Sequence, residues 1–491
     1  MLLVCLGALT PAWAACDQVP AGQTLRVRLL QPISSYSSKP GMPVQAILIE
    51  SPQCDGSSIF PIGAGVEGKI TYVKKVGLGF RHEAAAVEIE FDRIVPKDAS
   101  PFDISAQVVD VDNARETVKD GMVHGILSTD TIQSHFISLR LLELPSWDPE
   151  ALWVLPVRRA LFPYYPEPEI FFPRGTDVLL KLTAPVQVAM PVDPAPLYPD
   201  FDSSEANAID GEIPSLPEHA FTRKGKEGDI VNLAFIGTRE QVVSAFQAAG
   251  WTGSDSISTG SVLREAHALF SLNNYSHLPI SKQLLDGEAP DFSRQKSLDS
   301  YEKRDHLRIW SHPAPLLGEP LWLSGSIHEV SAQLSLSSRG GRFRFLHHLD
   351  GDLDEARDRV VRDLALAGCV DAVHYSPRPA MKHFLKSPSG DDLHTDARVA
   401  VVLLRDCHDP VFNEVSATPV PAYRPRTKFA RYMRTQVLTF RSDLWRTNAI
   451  YTGYELGRAA VRDIRRKRAR DLPPTIEVQD GRSGPAKSFL P

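Results

Sequence analysis

Cysteine is scarce in this chain, and what is missing around it narrows the chemistry. Five cysteines occur in 491 residues, at positions 5, 16, 54, 369 and 407, and none forms a CxxC pair. Zinc ribbons and thioredoxin-like redox sites are thereby excluded. There is no GxSxG elbow, no P-loop, no HExxH and no GxGxxG between a strand and a helix, so the common nucleophile, phosphate-cradle and zincin signatures are absent. Positive charge is not in excess either. A net charge of −6 argues against nucleic acid as a partner of the whole chain.

What is present begins with MLLVCLGALTPAWAA (1–15). This apolar run is too short to span a bilayer, and its Ala12-Trp13-Ala14 end fits a secretory signal peptide. It lacks a basic start, which would lie upstream of Met1. The chain is therefore expected to be exported, periplasmic or associated with a bacterial cell envelope, with lipidation of Cys16 as an alternative end of the signal. The four cysteines then left suit an oxidising compartment. The pairs expected are Cys16–Cys54 and Cys369–Cys407, against four buried thiols.

A chain of this length predicts several domains. Residues 16–189 read as β-rich. Alternating runs such as LRVRLL (25–30), VQAILIE and AVEIEF are separated by Gly/Pro turns. PAGQTLRVRLLQPIS (20–34) aligns with PRGTDVLLKLTAPVQ (173–187), matching Gly22 to Gly175, Leu29 to Leu182 and Pro32 to Pro185. FPIGAGVEGKI (60–70) echoes the start. Over roughly 20–112 this order of strands and turns resembles the β-barrel module of type IV secretion conjugation-channel proteins, which implies a barrel-like fold. Residues 190–227 shift to Pro, Asp, Ser and Glu without periodicity and predict an exposed linker. Residues 228–410 form a second domain. IVNLAFIG (230–237) suits a strand covered on both faces, and a Thr238/Gln241 capping box starts a helix that Gly250 ends. Helices at 261–270 and 353–367 and strands at 304–312, 320–330, 342–349, 371–375 and 397–405 complete the pattern. Without insertions this is β-α-β-β-α-β, an α+β sandwich. Residues 411–491 form a basic arm, helical at 449–469, with a disordered tail. Between 421 and 470 there are fourteen Lys/Arg and three acidic residues. That run either complements a helix dipole or attaches to anionic lipid or wall polymer.

The chemistry-bearing residues cluster in DHLRIWSH (305–312) and LWLSGSIHEV (321–330). Period-2 alternation places His306, Arg308, Trp310 and His312 on one face of the first strand. In the second, Trp322, Ser324, Ser326 and His328 share a face. A hairpin closed through 313–319 would set Trp310 opposite Trp322, Arg308 opposite Ser324 and His306 opposite Ser326. It would bury Leu307, Ile309, Leu323 and Ile327 under the helices and expose a polar patch on an aromatic floor. Together with His347 and His348 this patch is the candidate binding site, and no catalytic residue is assigned. Arg308 would act as a fork for a small anionic or sugar-like ligand. His306 with either His347 or His348, together with Asp350, is the set for a divalent metal, although structural histidines are the plainer alternative.

GDIVNLAFIG, AAGW (248–251), YSHLPIS (275–281), HLRIW (306–310) and HHLDGDLDEARD (347–358) occur in order, and over 228–376 the chain resembles the LssY C-terminal-like family. Some members carry this domain beside membrane-embedded lipid-phosphatase modules. Where the family pattern has Glu directly before the last Arg, Ala356 stands here and Glu355 one place earlier. The acidic run is not an EF-hand, because Glu355 and Val361 occupy the positions that need Gly and Glu. It reads as a helix start: Asp352 caps, Glu355 closes a capping box, and Glu355–Arg359 and Asp358–Arg362 pair at i,i+4. The functional expectation is an envelope binding or interaction module. The alternative is a hydrolase of phosphorylated envelope or lipid material acting through His306, Arg308 and His347.

Overall fold

The internal repeat pairs with itself. β1 (Thr24–Leu29) runs antiparallel to its equivalent, here β6 (Asp177–Leu182), with Val27 opposite Val178. Gly22 and Gly175 both turn the chain at positive φ (94° and 91°), a conformation that glycine adopts without steric cost. The Gly22 amide then donates to the Leu182 carbonyl, and the Gly175 amide to the Leu29 carbonyl, each at 2.8 Å. The same bond therefore closes both ends of the pair about a local two-fold axis. The third echo uses the same device: the Gly63 amide donates to the Leu48 carbonyl at 2.8 Å. β2 (Pro43–Glu50), β3 (Gly65–Lys74), β4 (Ala86–Val95) and β5 (Phe102–Val111) complete a closed six-stranded barrel in the order β4-β3-β2-β1-β6-β5, with β5 returning to β4. Leu25, Val27, Leu29, Val178 and Leu180 point into its core, so the alternating Arg26 and Arg28 point out of it.

The structure is a computed structural model. It describes residues 18–54, 57–78, 83–97, 99–113, 115–127, 167–188, 197–254, 280–281, 283–297, 303–336, 343–387, 390–408, 410, 421, 427–447, 461 and 464. The segment read as a signal peptide (1–15), Cys16 of the expected Cys16–Cys54 pair, the helix expected at 261–270 and the tail lie outside the described residues. So does the helix expected at 449–469, apart from Val461 and Ile464, which are helical.

The second module follows the α+β expectation. Its strands are β7 (His219–Thr222), β8 (Glu227–Ile230), β9 (Leu233–Ile236), β10 (Gln283–Leu284), β11 (Phe292–Ser297), β12 (Arg304–Leu316), β13 (Glu319–Leu336), β14 (Phe343–Leu349), β15 (Val370–Pro377) and β16 (Arg398–Leu404). The main sheet runs β11-β12-β13-β9-β16-β15, with β14 paired to β13 and β9 parallel to β16. One face packs under α2 (Arg239–Ala248) and α3 (Leu353–Leu366), where Phe235, Leu307, Ile309, Val360 and Leu364 form a common core. Thr238 caps α2 with the expected box. Cys369 and Cys407 form a disulfide that ties the start of β15 to the end of β16.

The linker at 190–227 is corrected. Residues 203–212 form α1 (Ser203–Glu212), followed by a 3₁₀ turn and β7. Phe201, Ile209, Ile213, Leu216 and Ala220 from this segment cover the second face of the main sheet. Low apolar content hid the helix, but Asp202-x-x-Glu205 is a capping box that marks its start. The C-terminal region also differs. α4 spans Lys428–Thr447 and is not a free arm there, because Leu438 enters the barrel core.

α3 is where the modules meet. Asp352 caps it and Gly368 ends it at φ 74°. Glu355 does not close a box; it pairs with Arg359 (3.3 Å). Asp358–Arg362 is not formed. Arg357 holds Asp358 at 2.8 Å, while Arg362 reaches Glu50 of the barrel at 2.9 Å, and Arg26 binds the same carboxylate at 3.0 Å. Arg28 leaves the barrel to bind Asp177 through two bonds (2.6 and 2.8 Å) and Asp363 of α3 at 2.6 Å. Asp363 also takes Lys296 at 2.7 Å and the Trp251 indole N–H at 3.0 Å. Arg359 crosses to Asp112 of the barrel at 2.7 Å. Burial alone would raise the Asp363 carboxyl, but the charges of Arg28 and Lys296 hold it far below the usual carboxylate range.

Removing this carboxylate leaves Lys296 buried without its ion-pair partner and Arg28 with Asp177 alone. Asp363→Asn is therefore expected to destabilise the protein by about 3–5 kcal/mol, read as a shift in urea midpoint. A loss under about 1 kcal/mol, the scale of exposed pairs, would mean that the ion network does not hold the modules together.

Candidate functional site

The hairpin that carries the candidate residues pairs one residue out of the expected register. Trp310 faces Leu323, Arg308 faces Gly325, His306 faces Ile327, and Ser311 faces Trp322. β12 continues through Pro313 and Pro315 to Leu316, and a two-residue turn at Leu317-Gly318 (φ 54° and 84°) joins it to β13. Both turn residues have positive φ, as a tight primed hairpin turn requires. Pairing shifts between His312 and Leu316, so the prolines sit in an irregularity at the exposed hairpin end rather than in a loop. A shift of one residue exchanges the faces of one strand relative to the other.

The predicted patch is consequently split and buried. Trp322, Ser324, Ser326 and His328 lie on the face of α2 and α3, together with Leu307 and Ile309 as expected. Trp322 packs in that core and donates from its indole to the Gly237 carbonyl at 2.9 Å. The Ser326 hydroxyl donates to the Ala356 carbonyl at 3.1 Å, and Ser324 is fully buried. His328 binds Asp305 at 2.7 Å. Burial would lower the His328 pKa, but the Asp305 carboxylate outweighs it and raises it. Trp310 and Leu323 are buried on the opposite face, under α1 and β7. The four-residue run β9 is buried throughout, in keeping with a sheet covered on both sides.

On that second face the motif residues converge in a line of charges. Arg308 is 2% exposed. Its guanidinium binds the Asp229 carboxylate and donates to the Ser281 carbonyl and hydroxyl, each at 2.9 Å. Gln283 braces Asp229, donating to its carboxylate at 2.8 Å and accepting from its amide at 2.9 Å. Gly325 lets this happen, because a Cβ there would meet the Ile230 carbonyl at 2.5 Å and the Asp229 Cβ at 3.0 Å. Further along, Glu329 receives Arg304 through two bonds (2.6 and 3.1 Å), with His347 at 3.0 Å and His306 at 3.4 Å. Burial opposes the Glu329 charge, but Arg304, then His347 and His306, push its pKa well below normal. His306 moves the other way: burial first, then Arg304 and Arg308 against the pull of Glu329, depress its pKa well below the usual value. His348 points away from His347 and binds Asp391 at 2.7 Å.

Asp229, Ser281, Arg304 and Glu329 were not singled out from sequence. Asp229 carried one signal, a lone acid entering a continuous apolar run. Beside it, His219, Asp229, Ile327, Leu349, Leu353 and Lys386 help line a cavity of about 60 Å³, far smaller than the roughly 300–1,000 Å³ of small-molecule sites. Asp350 does not join the histidines; it accepts from the Asp352 amide at 3.1 Å. Among the described residues, no three His, Cys, Asp or Glu side chains converge as metal ligands would.

Residues 212–399 match the family model for the LssY C-terminus. Among solved structures, ComB10 of the Com type IV secretion system of Helicobacter pylori is similar at 10% identity over 35% of this chain and 89% of that chain, with a TM-score of 0.20. No curated protein matches the chain.

The depressed pKa of His306 carries a sign. The unfolded imidazole binds a proton below about pH 6.5 that the folded one refuses, so stability is full above that pH and falls as pH drops below it. His328, whose pKa is raised despite burial by Asp305, gains stability over the same range. The loss is therefore expected in the difference between wild type and His306→Gln in urea unfolding between pH 7 and pH 5, at up to about 1.4 kcal/mol per pH unit. An unchanged slope in that variant would remove His306 as its source.

Proposed function

We propose that this protein is exported to the cell envelope and works as a binding and interaction module rather than as an enzyme. The observation that carries this is the commitment of its buried charges to one another. Arg308, the residue best suited to hold an anionic substrate, is bound by Asp229 and Ser281. His306 and His347 share Glu329. A general acid or base works best with a pKa near the operating pH, and burial drives His306 away from it. A binding module has no such requirement, and the clamped pair of modules offers it a rigid frame. The Cys369–Cys407 disulfide supports export, since such bonds persist in oxidising compartments.

Expression of the chain with its own N-terminus, followed by fractionation and thiol alkylation, tests this. The protein should leave the cytoplasm with Cys369 and Cys407 protected until reductant is added. Recovery in the cytoplasm with both alkylated would overturn export. Removing the bridge, which closes a separation of 38 residues, should cost about 4 kcal/mol in Cys369→Ser/Cys407→Ser by the chain-entropy relation. Aryl phosphate mono- and diesters, offered with and without manganese, should not be turned over. Turnover that disappears in His347→Ala would favour the hydrolase instead.

A further inference from the structure

α4 has two unlike faces. Toward the barrel, Leu438 is 1% exposed, Arg434 binds Glu167 at 3.0 Å and Glu169 at 3.4 Å, and Arg441 donates to the Gly77 carbonyl. These contacts fix which side of the helix looks outward. On that side Phe429, Tyr432, Met433 and Val437 are 72%, 44%, 43% and 41% exposed. Spacings of three and four make them one stripe along the helix. Lys428 and Arg431 are exposed beside it, and no acidic residue occurs from 428 to 442. An isolated exposed apolar residue means little, but a contiguous row flanked by cations is a surface built for contact.

The charge around this helix is segregated. Residues 421–470 carry fourteen Lys/Arg and three Asp/Glu, a net of +11, whereas the whole chain is −6; the remainder is therefore −17, from −6 minus 11. An anionic surface attracts this end of the protein and repels the rest, which orients the approach. We propose that the outward face of α4 docks onto an anionic lipid bilayer. Lys428 and Arg431 would meet headgroup phosphates while Phe429, Tyr432, Met433 and Val437 enter the boundary between headgroups and acyl chains. The helix would lie on the membrane, since none among the described residues is long and apolar enough to cross one. A second copy of the chain is the weaker occupant. Joining two such stripes brings Lys428 and Arg431 near their own equivalents, with no acid on α4 before Asp443 to offset them.

The proposal deepens the envelope reading by naming a partner, but it is tested on purified full-length protein and so stands or falls apart from export. Co-sedimentation is measured with vesicles of phosphatidylcholine alone and with one third phosphatidylglycerol. Binding should be at least about tenfold tighter to the anionic vesicles and should weaken as salt is raised. Phe429→Ser/Met433→Ser, both exposed and therefore tolerated by the fold, should lower partitioning about tenfold at fixed salt. Lys428→Glu/Arg431→Glu should remove the preference for phosphatidylglycerol. Circular dichroism and the urea midpoint establish that both variants fold. No binding to either vesicle would overturn the proposal. So would anionic binding that the Phe429/Met433 variant leaves unchanged, because the attachment would then be charge alone. A dimer without lipid that this variant splits into monomers would assign the stripe to a second copy.

Discussion

The Asp363 carboxylate is the point on which the arrangement of both modules depends. It belongs to α3, yet its ligands come from three directions: Arg28 from the barrel, Lys296 from β11 and the Trp251 indole from the turn after α2. A buried carboxylate is tolerable only when its charge is compensated and its lone pairs are filled. Here two cations and a neutral donor do both. Because the donors come from different elements, satisfying the group fixes the distance of α3 from the barrel and from the edge of the sheet together. Arg359, one helical turn earlier, on Asp112 and Arg362, the preceding residue, on Glu50 repeat the pattern. Leu366 adds apolar contact with Ile47 and Ile49.

The same rule shapes the interior of the second module. Arg308 with Asp229, and Arg304 with Glu329, are buried charges whose partners lie on other strands. The first ties the main sheet to β8 of the separate three-stranded sheet, and the second joins β12 to β13 within the main sheet. Pairing also removes a reactive group from use, since a guanidinium held by a carboxylate on one side and a backbone carbonyl on the other has little left for a ligand. His328, drawn upward by Asp305, and His306, driven downward chiefly by burial, illustrate how placement sets protonation. They are identical side chains on adjacent strands, pointing to opposite faces.

Local chemistry made much of this legible before any coordinates. The Thr238 capping box and the Asp352 cap rest on short-range signals and the Cys369–Cys407 pairing on proximity within one module, and all three appear in the fold. The repeat is visible in the sequence as well, though not that its two copies pair. What escaped was non-local. Arg26 and Arg28 alternate with apolar residues as solvent-facing side chains do, and nothing within the strand says that another module covers them. Arg359 and Arg362 likewise match i,i+4 partners on their own helix, so a surface face and a docking face read alike. In the hairpin, Pro313 and Pro315 resemble loop residues, and treating them so moved the pairing by one. That small displacement brought Trp310 and Trp322 onto one face in expectation, although they stand on opposite faces. Asn232, which breaks IVNLAFIG into β8 and β9, also passed as part of one strand; its amide side chain bonds the Ser326 amide and the Leu353 carbonyl.

A body that neutralises its charges internally must recognise partners by what remains outside. The ion pairs at Asp363, Glu329 and Asp229 are shielded, so salt and surface fields reach them weakly. The unpaired charge is distributed by segment instead, acidic over most of the chain and basic after residue 421. Such separation acts at long range and sets orientation before any contact forms. Short-range selectivity then falls to apolar side chains that the fold leaves exposed, and on α4 these share a face with the basic residues. The barrel fixes that face through Arg434 and Leu438. Internal neutralisation and external segregation are thus two sides of one constraint: charge that stabilises the fold is unavailable for recognition, and α4, whose Leu438 enters the barrel core, keeps Lys428 and Arg431 exposed on its outward side.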